Sequence, residues 1–312
     1  MGTIIDAEKE WKAPEIPEHI LHGDMPGDKV EISQSHIKKA AVIFPELLKL
    51  VKSVWKDNPD NRAVVTVCGG SGVGKSEIAS LLSFFFSEMG VGSYTLSGDN
   101  YPHRIPKYND AERLRVFRAG ALKGMIAAGD YTSERFQMIQ SWQKVGMDAD
   151  QQYSLKYPWY ESYLTAGRKA LKGYLGSKDE IDFDEIGHIV ERFKNGESQI
   201  WLKRMGRVQE ELWYDLVDFS GTQVLVIEWT HGNSDEYKGV DIPVLLNSTP
   251  AETLEHRRNR NRDGAVDSPF TTMVLELEQE MLKKQAHKAK IILSKGGELM
   301  SYDTYQQVMN SK

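Results

Sequence analysis

Residues Val64–Ser76 read Val-Val-Thr-Val-Cys-Gly-Gly-Ser-Gly-Val-Gly-Lys-Ser, and the helix-compatible run Glu77–Met89 follows at once. A β-branched stretch that enters a Gly-rich turn and leaves as helix, with Gly69, four residues, then Gly74-Lys75-Ser76, matches the P-loop spacing. Gly69, Gly70, Ser71, Gly72, Val73, Gly74, Lys75 and Ser76 are therefore the expected nucleotide-binding turn. Glycines let backbone N–H groups close around phosphate oxygens, and the positive end of the following helix faces the same anion. Lys75 is expected at the β- and γ-phosphates and the Ser76 hydroxyl on Mg²⁺. The alternative is a Gly-rich strand-to-helix turn without a ligand, against which stands the ordered succession of strand, loop, Lys-Ser and helix. A dinucleotide fingerprint fails, because Gly70 and Gly72 would require a glycine at position 75, which is lysine.

Downstream of the turn, Ser93–Ser97 reads as a second short strand that ends in Gly98-Asp99-Asn100-Tyr101-Pro102-His103-Arg104. Loops at the carboxyl ends of strands carry ligands in α/β sheets. Asp99 is thus a candidate general base for an attacking hydroxyl, with an Asx-type turn as the alternative reading. Asn109-Asp110 reads as the cap of a helix over Ala111–Ala128. The apolar run Gln223–Glu228 ends in a carboxylate and leads into Trp229-Thr230-His231-Gly232, so Glu228 is placed to hold Mg²⁺. Asp241–Asn247 reads as another strand. Pro250 opens a helix that runs into the basic stretch Arg257–Arg262, a solvated charge run by default and a phosphate-clamping lid if it lies beside a triphosphate. Ser268-Pro269 starts a helix over Phe270–Lys288, Ile291–Ser294 reads as the last strand, and a polar tail is expected to finish the chain.

Upstream, Pro14, Pro17 and Pro26 leave residues 1–34 irregular. Apolar residues from Ile37 to Trp55 then recur at helical spacing, with Pro45 predicting a kink or two short helices. Between Tyr131 and Ser220 the character changes: Trp142, Trp159, Trp201, Trp213 and seven tyrosines crowd this segment. The expected organisation is α/β, a P-loop NTPase-type parallel sheet flanked by helices with an inserted, aromatic-rich, mainly helical lobe. Its parts are an N-terminal segment 1–62 packing on the core, a core of 63–130 and 221–312, and an acceptor-binding lobe 131–220. Most of the lobe's aromatic rings are expected to be core, with one or two facing a ligand.

The 312 residues carry a net charge of -6, which excludes a general affinity for nucleic acid or anionic membrane. No apolar run reaches the length of a membrane helix, and the first residues lack the pattern of a secretory signal. The single cysteine, Cys68, excludes an internal disulfide framework and suits a reducing cytoplasm.

Taken in order, Gly69–Ser76, Leu96–Tyr101, Val226–Gly232, Arg257–Asp263 and Ala289–Leu293 resemble the phosphoribulokinase/uridine kinase family of P-loop kinases. The resemblance implies ATP and Mg²⁺ as cofactors and an alcohol as phosphate acceptor. By position it implies that Asp99 is the catalytic carboxylate and that Glu228 lies near the metal. It places Tyr101, His103, Arg104 and His231 at the acceptor and makes Arg258 and Arg262 lid arginines, with Arg262 or Arg258 closing over the transferred group. Trp229 stands where the family usually has glycine. More narrowly, Glu228–Asp235, Arg260–Gly264 and Ser268–Thr272 are similar to the sucrose kinase domain of bifunctional α-galactosidase/sucrose kinases of gut bacteria. That similarity implies a small-molecule sugar acceptor, with sucrose among the candidates. A nucleoside or sugar-phosphate kinase and a non-catalytic ATP-binding module stay open as alternatives, and so does the oligomeric state, a homodimer included.

Overall fold

The computed structural model describes residues 11–28, 30–58, 61–255, 258 and 268–310. Its centre is β1 (Ala63–Gly69), buried along its whole length. A strand hidden on both faces needs no alternation, and Ala-Val-Val-Thr-Val-Cys supplies none. β1 pairs in parallel with β5 (Val224–Glu228) on one side and β6 (Ile242–Leu246) on the other. Beyond β5 lies β2 (Ser93–Ser97); beyond β6 lie β7 (Ile291–Leu293) and β8 (Leu299–Met300). The order β2-β5-β1-β6-β7-β8 is parallel except for the β7–β8 pair.

That order fixes where ligands can bind. From β1 the chain passes outward across β5 to β2, whereas from β5 it passes across β1 to β6. Neighbouring strands whose connections leave in opposite directions open a crevice at their carboxyl ends. The loops after β1 and β5, which hold Lys75 and Glu228, therefore converge there.

Helix α1 (Gln34–Asp57) starts at a Ser33–His36 capping box and buries Ala40, Ile43, Phe44, Leu47, Leu48 and Val51 against one face of the sheet. It is one continuous helix with Pro45 inside, not two short ones. α2 (Lys75–Glu88) follows the Gly-rich turn and packs into the same core. Helix α3 (Pro106–Ala128) begins earlier than the Asn109-Asp110 cap suggests. Pro106 takes the first turn, where its missing N–H costs nothing, and Asn109 is buried inside the helix, donating to Glu180 Oε1 at 3.0 Å.

The segment that follows folds as α4 (Ser133–Lys144), α5 (Gln152–Lys156), α6 (Tyr160–Tyr174), α7 (Phe183–Lys194) and a hairpin of β3 (Gln199–Met205) with β4 (Leu212–Asp218). Its rings make a cluster of their own: Trp142 stacks on Tyr153 at 4.0 Å and meets Tyr160 edge-on at 5.4 Å. Helices α3 and α6 approach closely because small residues face each other. A Cβ at Gly124 would lie 2.1 Å from the Ala166 Cβ, and one at Gly120 would lie 2.3 Å from that of Ala170. The lobe's core continues into α8 (Pro269–Gln285) through Met273, Val274 and Leu277. Arg62 fastens the segment to the sheet. Buried just before β1, it donates to the carbonyls of Phe193, Glu197 and Phe219 at 2.7, 2.8 and 3.0 Å. The hairpin leaves Trp201, Leu212, Trp213, Tyr214 and Leu216 exposed, and no described strand flanks β4.

The chain does not finish in a polar tail after β7. β8 turns back against β7, and α9 (Tyr302–Asn310) buries Tyr305 and Met309 against Leu245, Leu282 and Cys68. Burial pushes the Cys68 thiol up to about 12, so it stays protonated and unreactive. No helix among the described residues is long and apolar enough to cross a membrane.

Candidate active site

The turn after β1 owes its shape to glycine. Gly72 and Gly74 sit at φ 75° and 97°, where a side chain is strained. At Gly69 a Cβ would lie 2.7 Å from the Leu246 carbonyl of the neighbouring strand. Gly74 caps α2 without a side-chain hydrogen bond, which leaves the helix's first N–H groups directed into the turn. Lys75 Nζ lies back over the loop, donating to the Gly70 carbonyl at 3.2 Å.

A cavity of about 540 Å³ opens beside this turn. Ser71, Gly72, Lys75, Ser76, Asp99, Glu228 and His231 line it, so half of the turn, the two candidate carboxylates and one candidate histidine meet in one space. Val73 is instead buried in the core, and Gly70 contributes its carbonyl to Lys75. The Glu228 carboxylate accepts from Ser97 Oγ at 2.6 Å and from Ser76 Oγ at 3.2 Å, which joins the ends of three segments. Burial raises Glu228 to about 8 and repulsion from Asp99 adds to it, while Lys75 and the Ser97 hydrogen bond pull the other way. Trp229 sets the distance between the β2 and β5 loops: its ring occupies the space a side chain on Gly98 would need, 2.0 Å from a Cβ there. Gly98 thus makes room for the Trp229 ring.

His231 is buried against Gly176, and loss of water lowers it to about 4 although Glu180 pulls it upward. The ring is therefore neutral near pH 7. Beside it lies a group that no sequence motif marks. Arg113 meets Glu180 at 2.5 Å and Glu278 at 3.8 Å, and all three line the cavity. Burial works against the Glu180 charge, but Arg113 and the Gly176 N–H hold the carboxyl below its ordinary value. Glu278 is raised by burial. Arg113 falls mid-helix and Glu180 falls in a polar run, and spacing within either segment says nothing about their meeting.

Three expected acceptor residues point elsewhere. Tyr101 is fully buried in a second core cluster with Phe183 and Trp229, and its hydroxyl has no hydrogen-bond partner among the described residues. The cause is a β-bridge from Pro102 to Ile181, which draws the loop toward the following segment. The same bridge brings the His103 ring to the Lys178 carbonyl at 2.9 Å and Arg104 to the Tyr174 hydroxyl at 3.0 Å, and neither side chain lines the cavity. Nor does any tryptophan or tyrosine of 131–220; that segment reaches the cavity through Glu180, Ile181 and Arg207. Arg258 is exposed, and Arg262 lies outside the described residues. Among the described residues no three His, Cys, Asp or Glu side chains converge as for a metal ion.

No protein-family profile matches the chain. By sequence it is similar to the bifunctional alpha-galactosidase/sucrose kinase AgaSK of Mediterraneibacter gnavus, with 39% identity over 264 residues. That alignment takes in 84% of this chain and spans 23% of the relative's length. Solved structures overlap it more loosely. Phosphoribulokinase from Rhodobacter spheroides overlaps with a TM-score of 0.45 at 15% identity, over 75% of this chain and 70% of that one. A candidate fructose transport system kinase from Silicibacter sp. TM1040 overlaps with a TM-score of 0.42 at 12% identity, over 77% of this chain and 94% of that one. Overlaps of that extent decide nothing about function.

Proposed function

We propose, from the premise that the chain is a P-loop-kinase-like protein related by sequence to a bifunctional alpha-galactosidase/sucrose kinase, that it is an ATP- and Mg²⁺-dependent kinase phosphorylating a carbohydrate hydroxyl. One observation carries the reading. Asp99, in the turn after β2, and Glu228, at the end of β5, line the same cavity as Lys75 and Ser76 of the Gly-rich turn.

Each group then has a part. The turn's N–H groups and Lys75 hold the β- and γ-phosphates. Ser76 and Glu228 hold the metal, and their donor set fits Mg²⁺, which needs one or two carboxylates besides phosphate oxygens and water. The repulsion between exposed Asp99 and buried Glu228 is the kind that a divalent cation relieves. Bound Mg²⁺ neutralises charge on the transferring phosphoryl group. Asp99 orients the acceptor hydroxyl and takes its proton, and Arg262 or Arg258 closes over the phosphates. In this reading 63–130 and 221–312 make up the kinase core, the described part of 1–62 packs on it, and 131–220 serves the acceptor.

Sucrose or another uncharged sugar suits the cavity better than a sugar phosphate. Its described lining includes Asp28, Asp99, Glu180, Glu228 and Glu278, and its Arg113 is already engaged by Glu180. A phosphorylated acceptor would meet more carboxylates than cations. ADP release measured with sucrose, other free sugars, nucleosides and sugar phosphates tests this. Stimulation by sugar phosphates alone would reverse the assignment, and no stimulation by any acceptor would favour an ATP-binding module. Asp99→Asn is expected to lower turnover by roughly 10²- to 10⁴-fold with ATP affinity retained. Equal loss of both would make Asp99 structural.

A further inference from the structure

Asp24 lies in the irregular N-terminal segment, far in sequence from the loops that line the cavity, yet its carboxylate is buried against the turn that bears Asp99. Oδ1 accepts from the Ser97 N–H at 2.7 Å and from Asn100 Nδ2 at 3.1 Å. Oδ2 accepts from the Tyr94 hydroxyl at 2.9 Å and from Arg204 Nη1 at 2.9 Å. Four donors match the four acceptor positions of a carboxylate. Two of them, at Ser97 and Asn100, bracket Asp99. The turn is held from the other side as well. Asn100 Oδ1 accepts from the Met205 N–H at 3.0 Å, and the Ser97 hydroxyl binds Glu228. Arg204, in β3, also meets the exposed Asp215 at 3.0 Å, so the hairpin, the N-terminal segment and the end of β2 share one network.

We propose that Asp24, with Arg204 and Asn100, is a positioning group that fixes the Asp99 turn relative to Glu228 and the Gly-rich loop. This rests on the kinase reading only for its effect on turnover. The clamp itself is a statement about the turn. Because a carboxylate is the one side chain here that accepts from all four donors, Asp24→Asn removes acceptor capacity and sets an N–H₂ group among donors. A turn relaxed by such a change no longer holds Asp99 to the accuracy transfer requires, and misplacement of about 1 Å costs on the order of 10²-fold in rate.

The experiment compares wild type, Asp24→Asn and Asn100→Ala, with Arg62→Met as a destabilised control whose change lies outside the network. Hydrogen exchange is read in a peptide covering 95–103, against peptides covering β1 and β5. Steady-state kinetics use Mg·ATP with sucrose, and affinity for ATP is measured by calorimetry. Faster exchange confined to 95–103 is expected in both network variants. It should come with a roughly 10- to 100-fold fall in kcat, little change in KM for ATP, and no such kcat loss per folded molecule in Arg62→Met. Unchanged exchange at 95–103 overturns the clamp. Relaxed exchange with wild-type kcat overturns the positioning role. Wild type that releases no ADP with any acceptor sinks the kinase reading, and the exchange result still decides the clamp. If Asp24→Asn does not fold, Asn100→Ala, which cuts the links to Asp24 and Met205 together, decides alone.

Discussion

Replacing Arg62 by Met keeps the apolar stem and removes the guanidinium that joins the sheet to the segment after α3. In the folded protein that group satisfies three carbonyls, two of them in buried surroundings, and lies over the Phe193 ring with its carbon 4.8 Å from the centroid. Hydrogen bonds from a charged donor contribute about 1.5–3 kcal/mol each, and the ring contact about 0.5–2. The cost of burying the guanidinium offsets part of this, and the Glu197 carbonyl can be rehydrated. The net loss expected, after that offset, is about 3–5 kcal/mol. That is a large share of the roughly 5–15 kcal/mol that holds a domain folded. Urea unfolding followed by tryptophan fluorescence reads the change, and hydrogen exchange at 193–199 and 219–223 should show where it falls. A midpoint shift equivalent to less than about 1 kcal/mol would mean that the three carbonyls find other donors, and that the pin contributes little.

Gly124→Val should disrupt the α3–α6 seam, since even a Cβ is too close to Ala166 there; overpacking of about 1–3 kcal/mol would appear as a lower melting temperature, and an unchanged one would show that the helices separate freely. Affinity for Mg·ATP should rise between pH 6 and 8, because Glu228 is held near 8 and must lose its proton to meet a cation; calorimetry in buffers of different ionisation enthalpy should find proton release, and Glu228→Gln should abolish it. His231 acts on stability with a definite sign. Its folded value is depressed to about 4, so its contribution is full above about 6.5 and is lost as pH falls toward 4, by up to about 3 kcal/mol. Glu228, raised in the fold, does the reverse and loses its contribution as pH rises through 8. Urea midpoints of wild type and His231→Phe should therefore converge on acidification, and parallel pH profiles would refute the assignment.

What the sequence made legible is local. A Gly-rich turn, a β-branched run and an acid at the end of an apolar strand announce themselves within a few residues, and β1, β2, β5, β6 and β7 stand close to where those signals put them. The partners brought together by topology left no such trace. Asp24 meets Ser97 and Arg113 meets Glu180 across many intervening residues, and no period or spacing relates them. Tyr101, His103 and Arg104 follow Asp99 directly, but proximity in sequence did not decide direction. One bridge between Pro102 and Ile181 turned all three away from the cavity. The closing helix had a signal that polarity obscured: Tyr302, Tyr305 and Met309 share a face at helical spacing.

The open flank of β4 bears on how the protein behaves in a test tube. A hairpin whose outer edge meets no described strand, and whose apolar side chains are exposed, is a template for accretion of further strands. Asp215 and Asp218 place negative charge along that flank, and one of them is drawn partly inward by Arg204. Neutralising Asp218 should make concentrated stocks cloud sooner, and salt should aggravate it by screening what charge remains.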